Sequence, residues 1–509
     1  MKHRLINLIT CLLLITSIHL HGAEKLNVLF IAVDDLKPTL GPYGDEVPTP
    51  GVNRLAAQGT TFLNAHCQQA VCAPSRASLM TGKYPDFTQI WDLKTMIREV
   101  HPNIVTLFQH YQAHGYTSIG MGKIFDFRSV DSGGESLSWS EPFTQSWAAP
   151  HHPDYGSQSG HYQSPRIKAL QAQANAEAGR ELPWGQLNKW LFANDGWPAV
   201  ESADVPDDAY DDGAIGVHAV NTLARLAKSE QPFMLAVGFK RPHLPFAAPK
   251  KYWDLFDRDA IKLASYQLPA EGSPSYALHD SNELRTYNGV PSKGPVDPET
   301  QRELIHGYYA CVAFIDAQIG KLLDQLEAQG LADNTVVVLW GDHGWHLGDH
   351  GLWNKHSNYE QATRVPLIIS APKGMEQKTN MPTELVDIFP TLCALSGIPS
   401  PENLDGINLA PVIHGAKSRP RAIAMSQFPR GQRMGYALRD ERYRYVAWFK
   451  TGGTGAKPTD PIDAVELFDY EVDPLETRNL AKDPAYQKIA DRLSKQVLNF
   501  IASHQSEDA

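Results

Sequence analysis

The feature that most constrains the fold is an apolar run near the start of the chain, LNVLFIAV at residues 26–33, which ends directly in Asp34 and Asp35. A run without polar and apolar alternation predicts a strand that is buried on both faces, as in a parallel sheet. Ligands of open α/β sheets bind at the carboxyl ends of the strands. We therefore expect the two aspartates to lie at the functional edge of a parallel sheet.

Three further apolar runs are followed at once by charged or imidazole side chains. They are residues 116–121 before Lys123, residues 232–239 before His243, and residues 335–340 before Asp342 and His343. Helical periodicity occurs between or beside these runs, at residues 104–114, 210–228 and 303–329. The alternation of strands and helices predicts an α/β fold in which separate segments meet at one sheet edge.

The segment 129–205 is rich in Gly, Pro, Ser and His and has no clear period, which predicts a long irregular loop. Its tryptophans are Trp139, Trp147, Trp184, Trp190 and Trp197. Indole faces suit sugar rings, but the same side chains are as well suited to anchoring the loop, so both explanations stay open. We interpret His151 and His152 as an exposed polar turn.

The segment AVCAPSRASLMTGKYP at residues 70–85 contains Cys72, followed by Ala-Pro-Ser-Arg. Pro74 suits the first turn of a helix, which would place residue 72 beside the positive helix end, where anions are favoured. The segment resembles the C-x-P-S-R signature of the type I sulfatases, in which the cysteine is oxidised to formylglycine. The alternative is a buried structural cysteine or a disulfide with Cys67.

The resemblance implies a nucleophile with two hydroxyl groups. Hydrated formylglycine attacks sulfur with one hydroxyl and displaces the alcohol, and the second hydroxyl then collapses to the aldehyde and expels sulfate. This chemistry requires a formylglycine-generating or other sulfatase-maturing enzyme as a partner. The substrate would be a sulfated oligosaccharide or polysaccharide.

The resemblance also implies a calcium site. Two adjacent acids after a strand are more often a turn or a helix cap, although oxygen ligands suit a hard cation. The family, however, places its metal aspartates at this point, before a segment that residues 41–56 resemble. The implied calcium ligands are Asp34, Asp35, Cys72 as formylglycine, Asp342 and His343.

The remaining catalytic groups are implied in the same way. Lysines would bind the sulfate as compact cations, an arginine would hold the formylglycine and the metal ligands in place, and a histidine would protonate the leaving oxygen. The implied catalytic residues are Cys72, Arg76, Lys123, His243 and Lys355. We interpret His346, His350 and His356 as mainly structural or as supports of the ligands.

One departure from the family pattern lies beside the predicted sulfate site. The family generally carries a histidine two or three residues after the first lysine, whereas here Lys123 is followed by Ile-Phe-Asp-Phe-Arg. Three explanations stay open: Asp126 or Arg128 takes over part of the role, a histidine arrives from elsewhere in the chain, or turnover is compromised.

The implied fold is α/β and alkaline-phosphatase-like, with a large, mostly parallel central sheet flanked by helices. A smaller C-terminal α+β subdomain built on an antiparallel sheet would follow, because residues 466–481 resemble the C-terminal motif of the family. We predict a signal peptide at residues 1–23, a sulfatase catalytic domain at residues 24–409 and the C-terminal subdomain at residues 410–509.

Within this family the chain resembles the iduronate-2-sulfatase branch, through stretches that include QQAVCAPSR at residues 68–76 and DHGW at residues 342–345. The resemblance predicts an exo-acting enzyme that removes a sulfate ester from a uronic acid or related sugar of a polysaccharide. Two alternatives stay open: a phosphomonoester or phosphonate hydrolase of the same fold, and a sulfated-glycan-binding protein that has lost turnover.

The N-terminus and the composition restrict location and partners. MKHR followed by apolar residues 5–20 predicts a secretory signal, hence a periplasmic or secreted protein with no membrane span in the mature chain. A formal net charge of −11 gives no indication of nucleic-acid binding. Few cysteines remain after the signal, and Cys311 and Cys393 are predicted to be core thiols.

Overall fold

The computed structural model describes residues 25–155 and 161–504, so the predicted signal peptide lies outside the described residues. The strands are β1 Asn27–Val33, β2 Thr60–Phe62, β3 Ala65–His66, β4 Thr117–Gly122, β5 Val200–Ala203, β6 Phe233–Phe239, β7 Phe246–Pro249, β8 Thr335–Gly341, β9 His346–Leu347, β10 Trp353–Asn354, β11 Arg364–Val365, β12 Leu367–Ser370, β13 Gln377–Thr379, β14 Thr383–Glu384, β15 Ala424–Arg430, β16 Arg433–Arg439, β17 Tyr443–Lys450 and β18 Ile462–Asp469.

Helices connect these strands and cover the sheets. The α-helices are α1 Pro50–Ala56, α2 Cys72–Thr81, α3 Pro85–Thr88, α4 Ile97–Val100, α5 Leu107–Ala113, α6 Pro165–Ala178, α7 Trp184–Ala193, α8 Asp211–Leu226, α9 Lys250–Trp253, α10 Pro298–Ala328, α11 Glu360–Thr363, α12 Ile388–Leu395, α13 Ala410–Ile413 and α14 Gln487–Ser503. Within the described ranges, none of the helices combines the length and the apolar character that crossing a membrane requires.

The central sheet has seven strands in the order β13-β2-β12-β8-β1-β6-β4. Strand β1 pairs in parallel with both β6 and β8, and β4 pairs in parallel with β6. Strand β12 is antiparallel to β8, so the sheet is mixed but mostly parallel. The apolar runs of the adjacent strands β8, β1 and β6 are buried along their whole length, as the sequence predicts.

The core explains why β1 carries no polar and apolar alternation. Leu29, Ile31 and Val33 face one buried cluster, which includes side chains of α8 and α10. Their neighbours Val28, Phe30 and Ala32 face a second cluster, which includes side chains of α2, α5 and α12. Because successive side chains of a strand point to opposite faces, both faces of β1 must be apolar. The carboxyl ends of the buried strands remain as the edge for polar chemistry.

The C-terminal part is a four-stranded antiparallel sheet in the order β15-β16-β17-β18, against which α14 packs. Leu409, Val412 and Ile413 lie in the core beside the large sheet, and the small sheet begins only at Ala424. The antiparallel C-terminal sheet is confirmed, whereas the exact domain boundaries stay a prediction.

The irregular loop predicted at residues 129–205 is wrong in part, because the segment contains α6, α7 and β5. Helices α6 and α7 pack on each other through a small cluster around Ala174, Leu187 and Leu191. The apolar side chains of α6 are mostly alanine, which favours a helix but gives little hydrophobic periodicity. The pattern in the sequence was therefore too weak to predict it.

A buried ion-pair network joins the two parts of the chain and gives a test of their docking. The Arg444 guanidinium on β17 contacts Glu360 of α11 and lies 3.1 Å from Glu476. We expect Arg444→Met to lower the unfolding free energy by about 3 kcal/mol, since the buried Glu476 carboxylate loses its guanidinium partner and Glu360 keeps only that of Arg439. Thermal and denaturant unfolding would measure the change.

A matched control is Arg433→Met, because Arg433 pairs with Asp463 at a more exposed position of the same sheet. Its expected effect is below about 1 kcal/mol, the usual range for exposed ion pairs. Equal effects of the two substitutions would contradict a special role of Arg444 in docking.

Candidate active site

Helix α2 begins at Cys72, as expected from Pro74 in its first turn. The Cys72 sulfur is buried and lies 3.4 Å from Asp34 Oδ1, 3.3 Å from His343 Nε2 and 3.6 Å from Lys123 Nζ. In the proposed mature enzyme this sulfur stands in for a formylglycine oxygen. Burial and the Asp34 charge raise the pKa of the thiol well above its usual value, so the unmodified cysteine is a poor nucleophile.

The disulfide alternative for Cys72 is wrong. The four cysteines of the described ranges are buried free thiols. Cys311 lies in the core of α10 and Cys393 in that of α12, which confirms both as core thiols.

The two aspartates after β1 meet the Cys72 sulfur at the sheet edge. One ligand atom from each of Asp34, Asp35, Cys72 and His343 can be chosen so that all lie within 4.8 Å of one another. Asp342 lies beside this group, since its Oδ2 atom is 3.6 Å from His343 Nε2 and accepts a hydrogen bond from Arg76 Nε. The predicted ligands therefore converge, although Asp342 lies outside the group of four.

The charges around these atoms test whether a cation fits. Four carboxylates (Asp34, Asp35, Asp342 and Glu283) face three permanent cations (Arg76, Lys123 and Lys355), and His243 adds a fourth positive charge when it is protonated. Burial raises the pKa of Asp342, so a cation beside this group would favour its ionised form. Although burial by itself disfavours the Asp34 carboxylate, Lys123 and Arg76 hold the pKa of that group well below its usual range. The donor set, with a formylglycine oxygen at residue 72, suits a divalent cation.

Arg76 is completely buried and ties three segments together. Its guanidinium bonds Asp34 Oδ1 at 3.0 Å and Asp342 Oδ2 at 2.9 Å, and it also donates to the Lys123 and Ile124 carbonyl oxygens. These contacts agree with the predicted role of Arg76 in holding the metal ligands.

The two predicted sulfate-binding lysines each contact a different member of the aspartate pair. Lys123 Nζ is 2.5 Å from Asp34 Oδ2, and Lys355 Nζ is 3.1 Å from both Asp35 carboxylate oxygens. Both ammonium groups are largely buried, so they remain close to the reacting centre in the absence of substrate.

Glu283 belongs to the site but carries no recognisable motif in the sequence. Its carboxylate lies 3.1 Å from His243 Nε2 and 3.0 Å from Lys355 Nζ. It comes from a mostly irregular segment between α9 and α10, where neither periodicity nor spacing marks a functional acid. Only the fold brings it to the sheet edge.

The contacts of His243 predict a protonated imidazole. Its Nδ1 atom is 2.7 Å from the Leu244 carbonyl oxygen, and its Nε2 atom faces Glu283, so both nitrogens have acceptors as partners. Burial alone would lower the pKa of His243, but the charges of Asp35 and Glu283 raise it above the ordinary value. His243 is therefore suited to act as a general acid at neutral pH.

This arrangement predicts a shift in the pH profile. An acid must be protonated to act, so activity should fall as pH rises through the raised pKa of His243. Glu283→Gln removes a negative charge, lowers that pKa and should move the basic limb of the kcat/KM profile down by about one pH unit. Glu303→Gln on the exposed side of α10 is the control. An unmoved limb in the Glu283 variant would contradict the assignment.

The contacts of Asp126 and Arg128 bear on the histidine that is missing after Lys123. The Asp126 carboxylate binds the Arg128 guanidinium through two hydrogen bonds, at 2.8 and 2.7 Å. Although Asp126 is buried, this pairing lowers its pKa to about 2, so it stays ionised and cannot supply a proton near neutral pH. Arg128 lines the cavity above the site, and so do two histidines from elsewhere, His161 and His243.

A cavity of about 570 Å³ opens from Asp34, Lys123 and His243. Of the tryptophans in segment 129–205, Trp147 and Trp184 line this cavity. The others anchor the segment: Trp139 is buried against Phe108 and Phe143, and Trp190 of α7 and Trp197 pack against the small cluster between α6 and α7.

The exposed turn predicted at His151 and His152 is wrong for His151. The His151 side chain is buried and lies 2.9 Å from Asp211 at the start of α8. The predicted supporting role of the other histidines agrees with their contacts, since His346 bonds Ser357 and His350 stacks on Tyr359. His356 is largely shielded by its neighbours, and burial lowers its pKa well below the usual value.

The comparisons with known proteins agree with this geometry. The Sulfatase family model matches residues 26–398, and a model described as N-sulphoglucosamine sulphohydrolase, C-terminal, matches residues 348–503. Iduronate 2-sulfatase of Mus musculus is 32% identical over 91% of this chain and 92% of its own length.

Two solved structures show the same fold. A 2-O GAG sulfatase matches with a TM-score of 0.67 and 23% identity, covering 95% of this chain and 93% of its own. A phosphonate monoester hydrolase of Agrobacterium radiobacter matches with a TM-score of 0.70 and 23% identity, covering 94% of this chain and 96% of its own. The alkaline-phosphatase-like architecture is thereby confirmed. Because the family model spans most of the chain, this protein belongs to the sulfatase family and is a hydrolase of that family.

Proposed function

We propose that this protein is a calcium-dependent sulfatase with formylglycine at residue 72, and that it removes a sulfate ester from a uronic acid or related sugar of a sulfated polysaccharide. The observation that carries the proposal is the convergence of Asp34, Lys123 and His343 within 3.6 Å of the Cys72 sulfur. These groups come from different segments that meet at the ends of buried parallel strands.

The side chains of this site have separate roles in ester cleavage. Lys123 and Lys355 bind the sulfate and stabilise the negative charge that grows on its oxygens. His243 donates its Nε2 proton to the leaving oxygen, because an alkoxide is a poor leaving group unless it is protonated. Arg76 holds the Asp34 and Asp342 carboxylates in position beside residue 72.

Two groups would complete the chemistry. Formylglycine, when formed, supplies a hydroxyl nucleophile at the sulfur atom and a second hydroxyl that restores the aldehyde. A calcium ion held by Asp34, Asp35, residue 72, Asp342 and His343 would polarise the sulfate.

The substrate class rests on the relatives and on the cavity. A relative that is 32% identical bears the name iduronate 2-sulfatase, and a protein of the same fold is described as a 2-O GAG sulfatase. The cavity is large enough for more than a sulfate group and combines cations with aromatic rings. An exo-acting enzyme that is exported to the periplasm or secreted, and matured by a formylglycine-generating enzyme, fits this substrate and the N-terminal pattern.

A combined mass and activity measurement tests the proposal. We expect the peptide that contains residue 72 to be about 18 Da lighter than its cysteine form. We also expect sulfate release from 2-sulfated uronate disaccharides, which EDTA should abolish and added calcium should restore. Unmodified Cys72 from a host with a maturing enzyme, or release that chelator leaves unchanged, would contradict the mechanism.

The same assay separates the proposal from a phosphonate or phosphomonoester hydrolase, which shares this fold. Phenyl phosphonate and phosphate esters should be cleaved at least about 100-fold more slowly than the sulfated sugar if sulfate is the natural group. The reverse preference would favour the alternative.

A further inference from the structure

We propose that Phe127, Trp147 and Trp184 form a subsite for a second sugar ring, so that the protein recognises a sulfated oligosaccharide beyond the ring that carries the reacting sulfate. The inference rests on the proposed function, because it takes the sulfated ring to lie at residue 72. We call these three side chains the aromatic platform.

Exposure distinguishes the aromatic platform from the rest of the molecule. Four phenylalanine or tryptophan side chains of the described ranges are more than 40% exposed: Phe127 at 60%, Trp147 at 51%, Phe192 at 46% and Trp184 at 44%. All but Phe192 line the single cavity that also contains Asp34, Lys123 and His243. Exposed aromatic surface concentrated at a reaction centre indicates a ligand with an apolar face.

Each platform ring is also held in place by neighbouring groups. The Arg128 guanidinium lies 5.5 Å from the Phe127 ring centre, and Lys240 Nζ lies 5.7 Å from that of Trp147. Trp184 contacts the Trp197 ring at a centroid distance of 5.7 Å. Rings that already contact neighbouring groups lose less conformational entropy than free side chains do when a ligand stacks on them.

The charges beside the platform favour a ring face over a second anion as its ligand. Arg128 is neutralised by Asp126 at 2.7 Å, and Lys240 is neutralised by Asp211 at 3.1 Å. A further sulfate or carboxylate would have to compete with these carboxylates. The C–H face of a sugar ring carries no charge, so it does not compete with these carboxylates, and it matches the flat indole surface.

Kinetics on substrates of two lengths test the aromatic platform. We expect kcat/KM to be at least about tenfold higher for a disaccharide or tetrasaccharide than for the monosaccharide that carries the same 2-sulfated uronate. Trp147→Ala and Trp184→Ala should each lower this ratio about tenfold, mainly through KM. Phe192→Ala, on the same helix as Trp184 but outside the cavity lining, should leave the ratio within about twofold.

Several outcomes would overturn the subsite. One is a wild-type protein that does not distinguish the two lengths, and another is a tryptophan variant that loses activity equally on both. A loss that is confined to 4-nitrophenyl sulfate would assign the platform to an aryl group instead of a sugar.

A binding measurement keeps this test independent of turnover. If no sugar is hydrolysed, calorimetric titration of the Cys72→Ala protein with the disaccharide remains decisive. Affinity at least about tenfold weaker after the added Trp147→Ala change would support the subsite even though the proposed turnover had failed. Equal affinities would overturn it.

Discussion

Cys72→Ala is expected to lower kcat for sulfate release by at least about 10⁴-fold, the largest effect that we predict for a single substitution. Residue 72 lies where Asp34, Lys123 and His343 converge, and no other nucleophile occupies that position among the described residues. Alanine is preferable to serine as the test, because it leaves no hydroxyl that could react or be converted.

The matched control is Cys67→Ala, five residues upstream in the same buried environment. The Cys67 thiol donates to the Ala362 carbonyl oxygen at 3.9 Å, packs in the apolar core and lies outside the candidate metal group. We expect this variant to retain activity within about threefold and to be converted normally at residue 72. If Cys72→Ala kept more than a tenth of the wild-type rate, the covalent mechanism would be wrong.

The strand-end side chains of the site could be predicted from the sequence because they follow unmistakable apolar runs. Asp34 and Asp342 come directly after strands that are buried on both faces, and His243 comes four residues after the end of a third such strand. Parallel strands place their carboxyl ends at one edge, so the convergence follows from topology alone. The resemblance to the sulfatases added the roles of Cys72 and Lys355, which periodicity cannot supply.

The parts that could not be predicted depend on long-range packing. Glu283 reaches His243 only because the mostly irregular segment before α10 folds back over the sheet edge. The aromatic platform assembles from a residue after β4, a short turn and the start of α7, far apart in sequence. No local sequence pattern predicts which of several tryptophans will line a cavity and which will be buried.

Asp35→Asn is expected to reduce kcat/KM about 10³-fold, the second large effect. Asp35 holds Lys355 Nζ at 3.1 Å, lies 3.3 Å from His343 Nε2 and supplies an atom to the candidate metal group. Asparagine preserves the shape but removes the charge, so it should weaken cation binding and release the ammonium group of Lys355. Asp349→Asn is the control, because Asp349 pairs with Lys37 outside the cluster.

Thermal stability separates the loss of the cation from a general loss of structure. In the wild-type protein, calcium at about 100 times its Kd should raise Tm by about 3 °C, since a ligand that binds the native state stabilises it. Asp35→Asn should lose this rise but keep a Tm in EDTA close to that of the wild type, because Lys355 Nζ still has the Glu283 carboxylate as a partner at 3.0 Å. If Asp35→Asn lost activity but kept the full calcium-dependent rise in Tm, Asp35 would not bind the cation. Its role would then be limited to positioning Lys355.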